Sequence, residues 1–343
     1  MYCCATCFGD SFLDKRIPEI SKQIGKCGFC YAINVVLIEP TALLDYFQSV
    51  SSIYAECFES DAKPLIEWFK DDWQIFSSLD QINAKALLGE ILDDGEIVRK
   101  EFVVRDVPVL GAVEKWATFR DEIMRKNRFF FQHDLDLDSL KELFDTYLET
   151  DASEFGGLLY RARIQLDNSG IPLDEMGCPS AEHAKNGRAN PVGIPYLYVA
   201  TTPETAIAET RPHPGDQLSV AQFEVTTALR LLNLMNPRKT ISPFSVVSED
   251  ELRALRYDLE FLCHLENELS KPVLPRVADL EYLPTQYLCE FIKNCGYDGV
   301  VYKSSISNGA NVALFDDSKV QAEELTQYEV TKLIYEQEQR QAL

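Results

Sequence analysis

"YLYVATTPETAIAETRPHPG", residues 196–215, changes secondary structure once and then stops abruptly. Its first part, completed upstream as "IPYLYVA" (194–200), has the aromatic and β-branched composition of a strand. Thr202 is then placed to cap free amides, and Pro203 suits the first helical position, where no intrahelical amide bond is needed. Pro212 and Pro214 forbid continuation, so the helix is short. Glu209 therefore falls in its last turn, where the macrodipole disfavours an anion by roughly 0.3–1 kcal/mol. Something other than helix stability keeps a carboxylate there.

Working outward, the same grammar of short alternating segments recurs in "LLYRARI" (158–164), "LSVAQFEV" (218–225), "DGVVYKS" (298–304) and "NVALFD" (311–316). Helices lie between them. One is "TQYLCEFIKNC", with Thr285 as the expected cap and Gly296 just past its end. "YEVTKLIYEQEQ" near the C-terminus fits a strand or a helix equally. This half reads as α+β with a mixed sheet. Upstream, from about residue 40 to 150, "PTALLDYFQSVSSIYAECF", "AKPLIEWFKDDWQIF" and "DLDSLKELFDTYLE" carry apolar residues at helical spacing. "RKEFVVRDVPVLGAVEKW" interrupts them with a β-rich or irregular passage. The change at "ETDASEFGG" (149–157) sets the expected domains at 1–150 and 151–343, and the fold class at α+β with a mainly helical N-terminal domain.

A chain of 343 residues with 46% hydrophobic content can fill two cores of ordinary size. No apolar run is long enough to span a membrane, and "MYCCATCFGD" lacks a signal segment, so the expectation is a soluble, cytoplasmic protein with no membrane partner. Lys and Arg number 33 against 55 Asp and Glu, a formal charge of -22. That balance argues against nucleic acid as a partner and admits a basic protein. The ten cysteines suggest thiols or metal ligands rather than disulfides. Cys4 and Cys7, then Cys27 and Cys30, form two C-x2-C pairs at the spacing of a four-thiolate, structural zinc site. Cys3 is adjacent and would substitute for Cys4. Cys57, Cys263 and Cys289 sit in apolar runs and read as core residues.

As a strand, "LLYRARI" sends Leu159, Arg161 and Arg163 to one face and Leu158, Tyr160, Ala162 and Ile164 to the other. Two guanidinium forks on one face suit a pyrophosphate. "NGRANPVGIPYLYVA" shapes a loop carrying Arg188 and Asn190 before a strand in which Tyr196 and Tyr198 share a face by period two, as packing or as a platform for a ring. Glu209 follows, and the bland account of it is a surface pair with Arg211. Ser304 and Ser305 end a strand before the turn at Asn308-Gly309. Neither serine sits in a G-x-S-x-G elbow, and no G-x-G-x-x-G opens a helix, so a serine hydrolase and a Rossmann cofactor site are both unsupported. Arginine, tyrosine, glutamate and serine remain, a set suited to binding a charged dinucleotide and stabilising a developing cation.

In this order the residues resemble the RES family, named for arginine, glutamate and serine, whose fold is related to ADP-ribosyltransferases. The matching phrases are "LYRAR", "GRANPVGIPYLYVATTPETAIAETRP" and "GYDGVVYKSSISNGANVALFD". The resemblance implies cleavage of the nicotinamide-ribose bond of NAD, with phosphate or water as acceptor, by a toxin held inactive by a cognate antitoxin. It assigns Arg161, Glu209 and Ser304 to catalysis and Arg163, Arg188 and Tyr198 to NAD binding, with Arg163 and Ser305 as neighbours that an alignment shift would promote. The first half looks like the HEPN-type domain often joined to RES domains. HEPN ribonucleases carry an arginine and a histidine a few residues apart, as do Arg128 and His133 in "RFFFQH". Three consecutive phenylalanines read as core, however, and the net charge suits RNA poorly, so structural or regulatory use is expected. Two further readings are an ADP-ribosyltransferase that modifies a protein and a non-enzymatic interaction protein working through its zinc-helical half.

Overall fold

The computed structural model describes residues 1–58, 60–105, 111–130, 135–167 and 169–334. These fall into two compact units that interleave along the chain. The first comprises Met1–Phe119 and Asn236–Leu265; the second comprises Asp136–Met235 and the chain from Glu266 on, with the short stretch from Arg120 assigned to it.

In the first unit, α1 (Ser11–Ile20) starts where the Asp10 carboxylate accepts the Phe12 and Leu13 amides, a capping arrangement that satisfies two otherwise free donors. The short strands β1 (Gln23–Gly25) and β2 (Val35–Leu37) pair antiparallel. Helix α2 (Leu44–Ser51) is followed by β3 (Tyr54–Glu56), β4 (Lys63–Pro64), α3 (Leu65–Trp73), α4 (Gln81–Ile91) and β5 (Glu101–Val104). The "SIYAECF" end of the expected helical run thus becomes a strand, because β5 supplies antiparallel partners for both β3 and β4. Phe47 is the hub of the core, stacked on Phe69 at 5.5 Å and tilted against Phe8, Phe76 and Phe244. Phe244 reaches that hub from the Asn236–Leu265 segment, although the change of pattern at 149–157 places that segment in the second half. Helix α5 (Ala112–Arg125) carries Trp116 and Phe119, both buried. Phe129 and Phe130 just beyond it are 83% and 85% exposed. They are therefore not core, contrary to the sequence expectation, while His133 lies outside the described residues.

The second unit opens with α6 (Leu137–Tyr147) and is organised on one sheet of eight strands. Its strands are β6 (Glu149–Thr150), β7 (Leu158–Ile164), β8 (Leu197–Ala200), β9 (Gln217–Val225), β10 (Leu231–Asn233), β11 (Gly299–Lys303), β12 (Ala310–Leu314) and β13 (Val320–Glu329). Their order is β13-β9-β7-β8-β12-β11-β10-β6, antiparallel throughout except for β10 beside β11. The fold is therefore α+β with a mixed sheet. Helix α7 (Pro203–Glu209) follows β8, and Thr202 caps it by accepting the Thr205 amide, with Pro203 in the first turn. After β10 come α8 (Pro237–Thr240) and α9 (Glu249–Ser270), whose residues are shared between the units, then α10 (Ala278–Glu281) and α11 (Leu283–Asn294).

Thr285 is not the cap of α11. The helix begins two residues earlier with Pro284 in its first turn, and the buried Thr285 hydroxyl donates to the Arg188 and Tyr282 carbonyls. Gly296, at φ +87°, does end the helix in the left-handed region that a residue without Cβ adopts freely. Tyr328 and Glu329 belong to β13, so the start of "YEVTKLIYEQEQ" is strand, while 335–343 lie outside the described residues. Leu159, Leu197, Val199, Phe223, Val312 and Leu314 are among the side chains that close the core beneath this sheet. Cys289 is fully buried as expected, whereas Cys57 and Cys263 are only half-buried.

Candidate functional site

The sheet is split at its middle. Strand β7 pairs with β9 along its full length, yet with β8 only at Tyr160↔Ala200. Because the Gln165 amide donates to the Gln217 carbonyl, the odd-numbered residues of β7 direct their backbone groups at β9. Ala162 and Ile164 then turn theirs toward the side where β8 has diverged. A cleft of about 300 Å³ opens at that divergence, lined by Tyr160 to Arg163 of β7, Tyr198 of β8, Glu209 of α7, Tyr302 of β11 and Asn311 of β12.

Glu209 sits at the end of α7 with its carboxylate fixed by the neighbouring strands. Oε1 accepts from the Ser304 hydroxyl at 2.7 Å and from Asn311 Nδ2 at 2.6 Å. Among the described residues it forms no ion pair with Arg211, so the bland surface-pair account fails. Ser304, buried immediately after β11, accepts the Ile306 and Ser307 amides on the same oxygen that donates to Glu209. Its proton is thereby aimed at the carboxylate, and the hydroxyl orients Glu209. Ser305, by contrast, is exposed. The turn that holds Ser304 is itself tied to α7 through Thr205 Oγ1 and Ser307 Oγ at 2.9 Å. Gly309 in that turn has no room for a Cβ, which would lie 2.1 Å from Thr205 Oγ1.

Arg161 and Arg163 line the same cleft, and both donate to one acceptor, the Gly177 carbonyl, at 2.9 and 3.3 Å. Among the described residues neither pairs with a carboxylate. Burial, and then the like charge of Arg163, pull the Arg161 guanidinium down to about 10. Tyr198 presents its ring to the cleft while its hydroxyl is committed elsewhere, donating to Asn190 Oδ1 at 2.7 Å and accepting the Ala189 amide. Burial pushes its phenol up. Tyr196 does not join it. It precedes β8, is buried against Phe315 at 4.9 Å and carries Lys293 over its ring. Arg188 lies outside the cleft lining, over the Tyr282 ring at 5.4 Å, in a loop clamped by Thr285 and Gln286 of α11.

Sequence reading missed Tyr302, Asn311, Asn190 and Gly177. Asn311 and Tyr302 stand in strands, where only register brings them to Glu209 and Tyr198; Asn190 is a loop residue in the sequence, but the sharing of its Nδ2 among the Lys185, Pro191 and Ile194 carbonyls depends on the folded loop.

In the first unit the Cys4, Cys7, Cys27 and Cys30 sulfurs lie within 4.8 Å of one another. Neighbouring pairs are 3.4 Å (Cys4 to Cys30), 3.4 Å (Cys7 to Cys27) and 4.0 Å (Cys4 to Cys7) apart. A tetrahedron of sulfurs about 2.3 Å from a zinc ion has edges of about 3.8 Å, so the donor set fits that ion. The Phe29 amide donates to Cys27 Sγ at 3.4 Å. Cys3 stays outside the cluster, with its thiol near the Ile38 carbonyl.

Residues 158–335 match the RES domain model, more than half of the chain, and the protein belongs to the RES domain family. Among solved structures it is similar to a chain in the crystal structure of the M. tuberculosis MbcT-MbcA toxin-antitoxin complex, at 12% identity over 56% of this chain and 93% of that one, with a TM-score of 0.32. No curated protein matches it. Among the described residues no helix is long and apolar enough to cross a membrane.

Proposed function

We propose that the protein degrades NAD by cleaving its nicotinamide-ribose bond, as a toxin or defence effector acting in the cytoplasm under the control of a cognate antitoxin. The observation that carries this reading is the Glu209 carboxylate, held by Ser304 and Asn311 in a cleft that is also lined by two arginines with no acidic partner among the described residues. The arginine forks bind the pyrophosphate, the Tyr198 ring stacks on a ligand ring, and Arg188 draws on the same anion from the neighbouring loop. When the C–N bond breaks, its electron pair leaves with nicotinamide and the ribose becomes oxocarbenium-like. A fixed carboxylate stabilises that charge, which exists only in the transition state. Phosphate or water then adds to the anomeric carbon and loses its proton.

The family membership supports this assignment over an interaction protein, and we assign Arg161, Glu209 and Ser304 to the family's namesake roles. Incubating the pure chain with NAD, with and without inorganic phosphate, separates the outcomes. Phosphorylated ADP-ribose means phosphorolysis, free ADP-ribose means hydrolysis, and label retained on protein means an ADP-ribosyltransferase. Intact NAD under every condition would remove the proposal.

We further propose a structural zinc ion on Cys4, Cys7, Cys27 and Cys30 in a HEPN-type first unit, with the second unit as the catalytic one. Four thiolates leave no open coordination position, so the ion would brace the fold and take no part in catalysis. Cys27→Ser should lower metal content from one ion per chain and destabilise the first unit. A metal-free chain with an unchanged thermal transition would overturn the zinc assignment.

A further inference from the structure

The two cleft arginines share the Gly177 carbonyl, and the other end of that same peptide is held by an acid. The Cys178 amide donates to Asp317 Oδ2 at 3.1 Å. The Gly177 carbonyl and the Cys178 N–H belong to one planar trans unit, so they point in opposite directions and cannot turn independently. Asp317 lies in the tight turn between β12 and β13, remote in sequence from both β7 and the 177–178 segment. The charge of Asp317 also favours the Arg161 guanidinium, and among the described residues the two form no ion pair.

We infer that Asp317 is a positioning residue, which fixes the Gly177–Cys178 peptide so that its carbonyl aligns Arg161 and Arg163 for an incoming diphosphate. The arrangement resolves a conflict between orientation and availability. A carboxylate bonded directly to Arg161 would orient the fork but also occupy it and neutralise its charge. A carboxylate set one peptide away orders both forks through a single carbonyl oxygen and leaves their remaining N–H groups for the ligand. The peptide dipole, of roughly 3.5 D, lies with its negative end at the arginines and its positive end at Asp317. Gly177 itself is not the point of constraint, since an added Cβ would meet Asp317 Oδ2 at an ordinary 3.6 Å.

The inference rests on the dinucleotide reading of the cleft, and three variants of the full chain test it apart from that reading. Asp317→Ala should raise the KM for NAD, and weaken inorganic pyrophosphate binding measured by calorimetry, by about tenfold, equivalent to roughly 1.4 kcal/mol. Its kcat should stay within about twofold, because Glu209 is untouched. Asp317→Asn retains an oxygen acceptor for the Cys178 amide and should restore most of the affinity. Asp316→Ala disturbs the same turn by removing the bond from the Ser318 amide, yet should leave KM unchanged. Loss of affinity in Asp316→Ala equal to that in Asp317→Ala would overturn the inference in favour of general turn disruption, as would a wild-type KM in Asp317→Ala. A wild-type chain that neither consumes NAD nor binds pyrophosphate would instead remove the reading of the cleft itself.

Discussion

Arginine is treated in opposite ways at two places on the eight-stranded sheet. At its far end, Arg230 precedes β10 and is neutralised on every side. Its guanidinium donates to Asp145 Oδ1 and Glu149 Oε2, each at 2.8 Å, and to the Cys295 carbonyl, and it lies over the Tyr297 ring at 4.2 Å. Hydrogen bonding to Glu149 drives its pKa upward. At the split between β7 and β8, Arg161 meets only a carbonyl among the described residues, and burial beside Arg163 drives its pKa downward. An arginine that staples a structure is supplied with carboxylates by the fold. One that is buried in part and denied them raises the free energy of the empty cleft and repays it when an anion enters.

The sharpest way to break that comparison is to change the one acid the cleft does contain. Glu209→Gln keeps the size and the oxygen acceptor for Ser304 and Asn311, and removes the charge. NAD consumption should fall by about 10²–10³, or roughly 2.7–4 kcal/mol, the scale of one preorganised electrostatic group. NAD binding should stay within a few-fold, and the thermal transition should hold or rise slightly, because an anion has left a helix C-terminus. Steady-state kinetics together with calorimetry check both parts. Full activity in the folded variant would return the cleft to an ordinary groove.

How far this arrangement was legible in the sequence depends on the distance over which each role is set. Thr202, Pro203 and the stop at Pro212 are local matters of dihedral angle and free amides, so the short helix and the position of Glu209 follow from adjacent residues. Alternation likewise puts Arg161 and Arg163 on one face of β7, and both do reach the same carbonyl. Asn311 and Tyr302 carry no such signal. They meet the cleft because β12 pairs with β8 and β11 with β12 in a particular register, which composition does not encode. Thr285 was misread for a related reason. A threonine at the head of an apolar helix suits a cap, but the helix starts at Leu283, so Thr285 lies inside it and its hydroxyl donates to the Arg188 carbonyl instead. Phe129 and Phe130 show the converse, since aromatic character alone does not say whether a surface exists to cover them.

Arg161→Ala should produce the next largest effect and one of a different kind. Its proposed partner is charged in the ground state as well as the transition state, so KM should rise and kcat/KM should fall by about 10–100-fold, in keeping with roughly 1.5–3 kcal/mol for a hydrogen bond to a charged group. Thermal stability in the absence of ligand should not suffer, because burial disfavours the lost charge. Inorganic pyrophosphate should raise the melting temperature of the wild type and lose that effect in the variant. Equal stabilisation of both proteins would mean that the anion binds elsewhere.

Tyr198→Phe separates the ring from the hydroxyl. The ring remains in the cleft, while Asn190 Oδ1 and the Ala189 amide lose their partner in a buried loop. A stability loss of about 1–2 kcal/mol should follow, with KM raised several-fold through the Arg188 loop and kcat retained. A large drop in kcat, at unchanged stability, would assign the hydroxyl itself a place in the reaction.

Arg230→Ala completes the comparison from the side where the smallest effect is expected. The guanidinium is about a third exposed, with 34% of the side chain open, and Asp145 keeps Lys141 and the Tyr297 hydroxyl after the change. Solvent screening then limits the loss to about 1 kcal/mol, which for a unit of this size is a fall of roughly 2–4 °C in melting temperature. NAD turnover and affinity should match the wild type, because no atom of Arg230 lines the cleft. The removal of a well-paired arginine should therefore lower stability and spare activity, while removal of the unpaired Arg161 should spare stability and lower activity. If both variants lost activity alike, the charge of the sheet as a whole would govern the cleft, and the distinction between the two arginines would collapse.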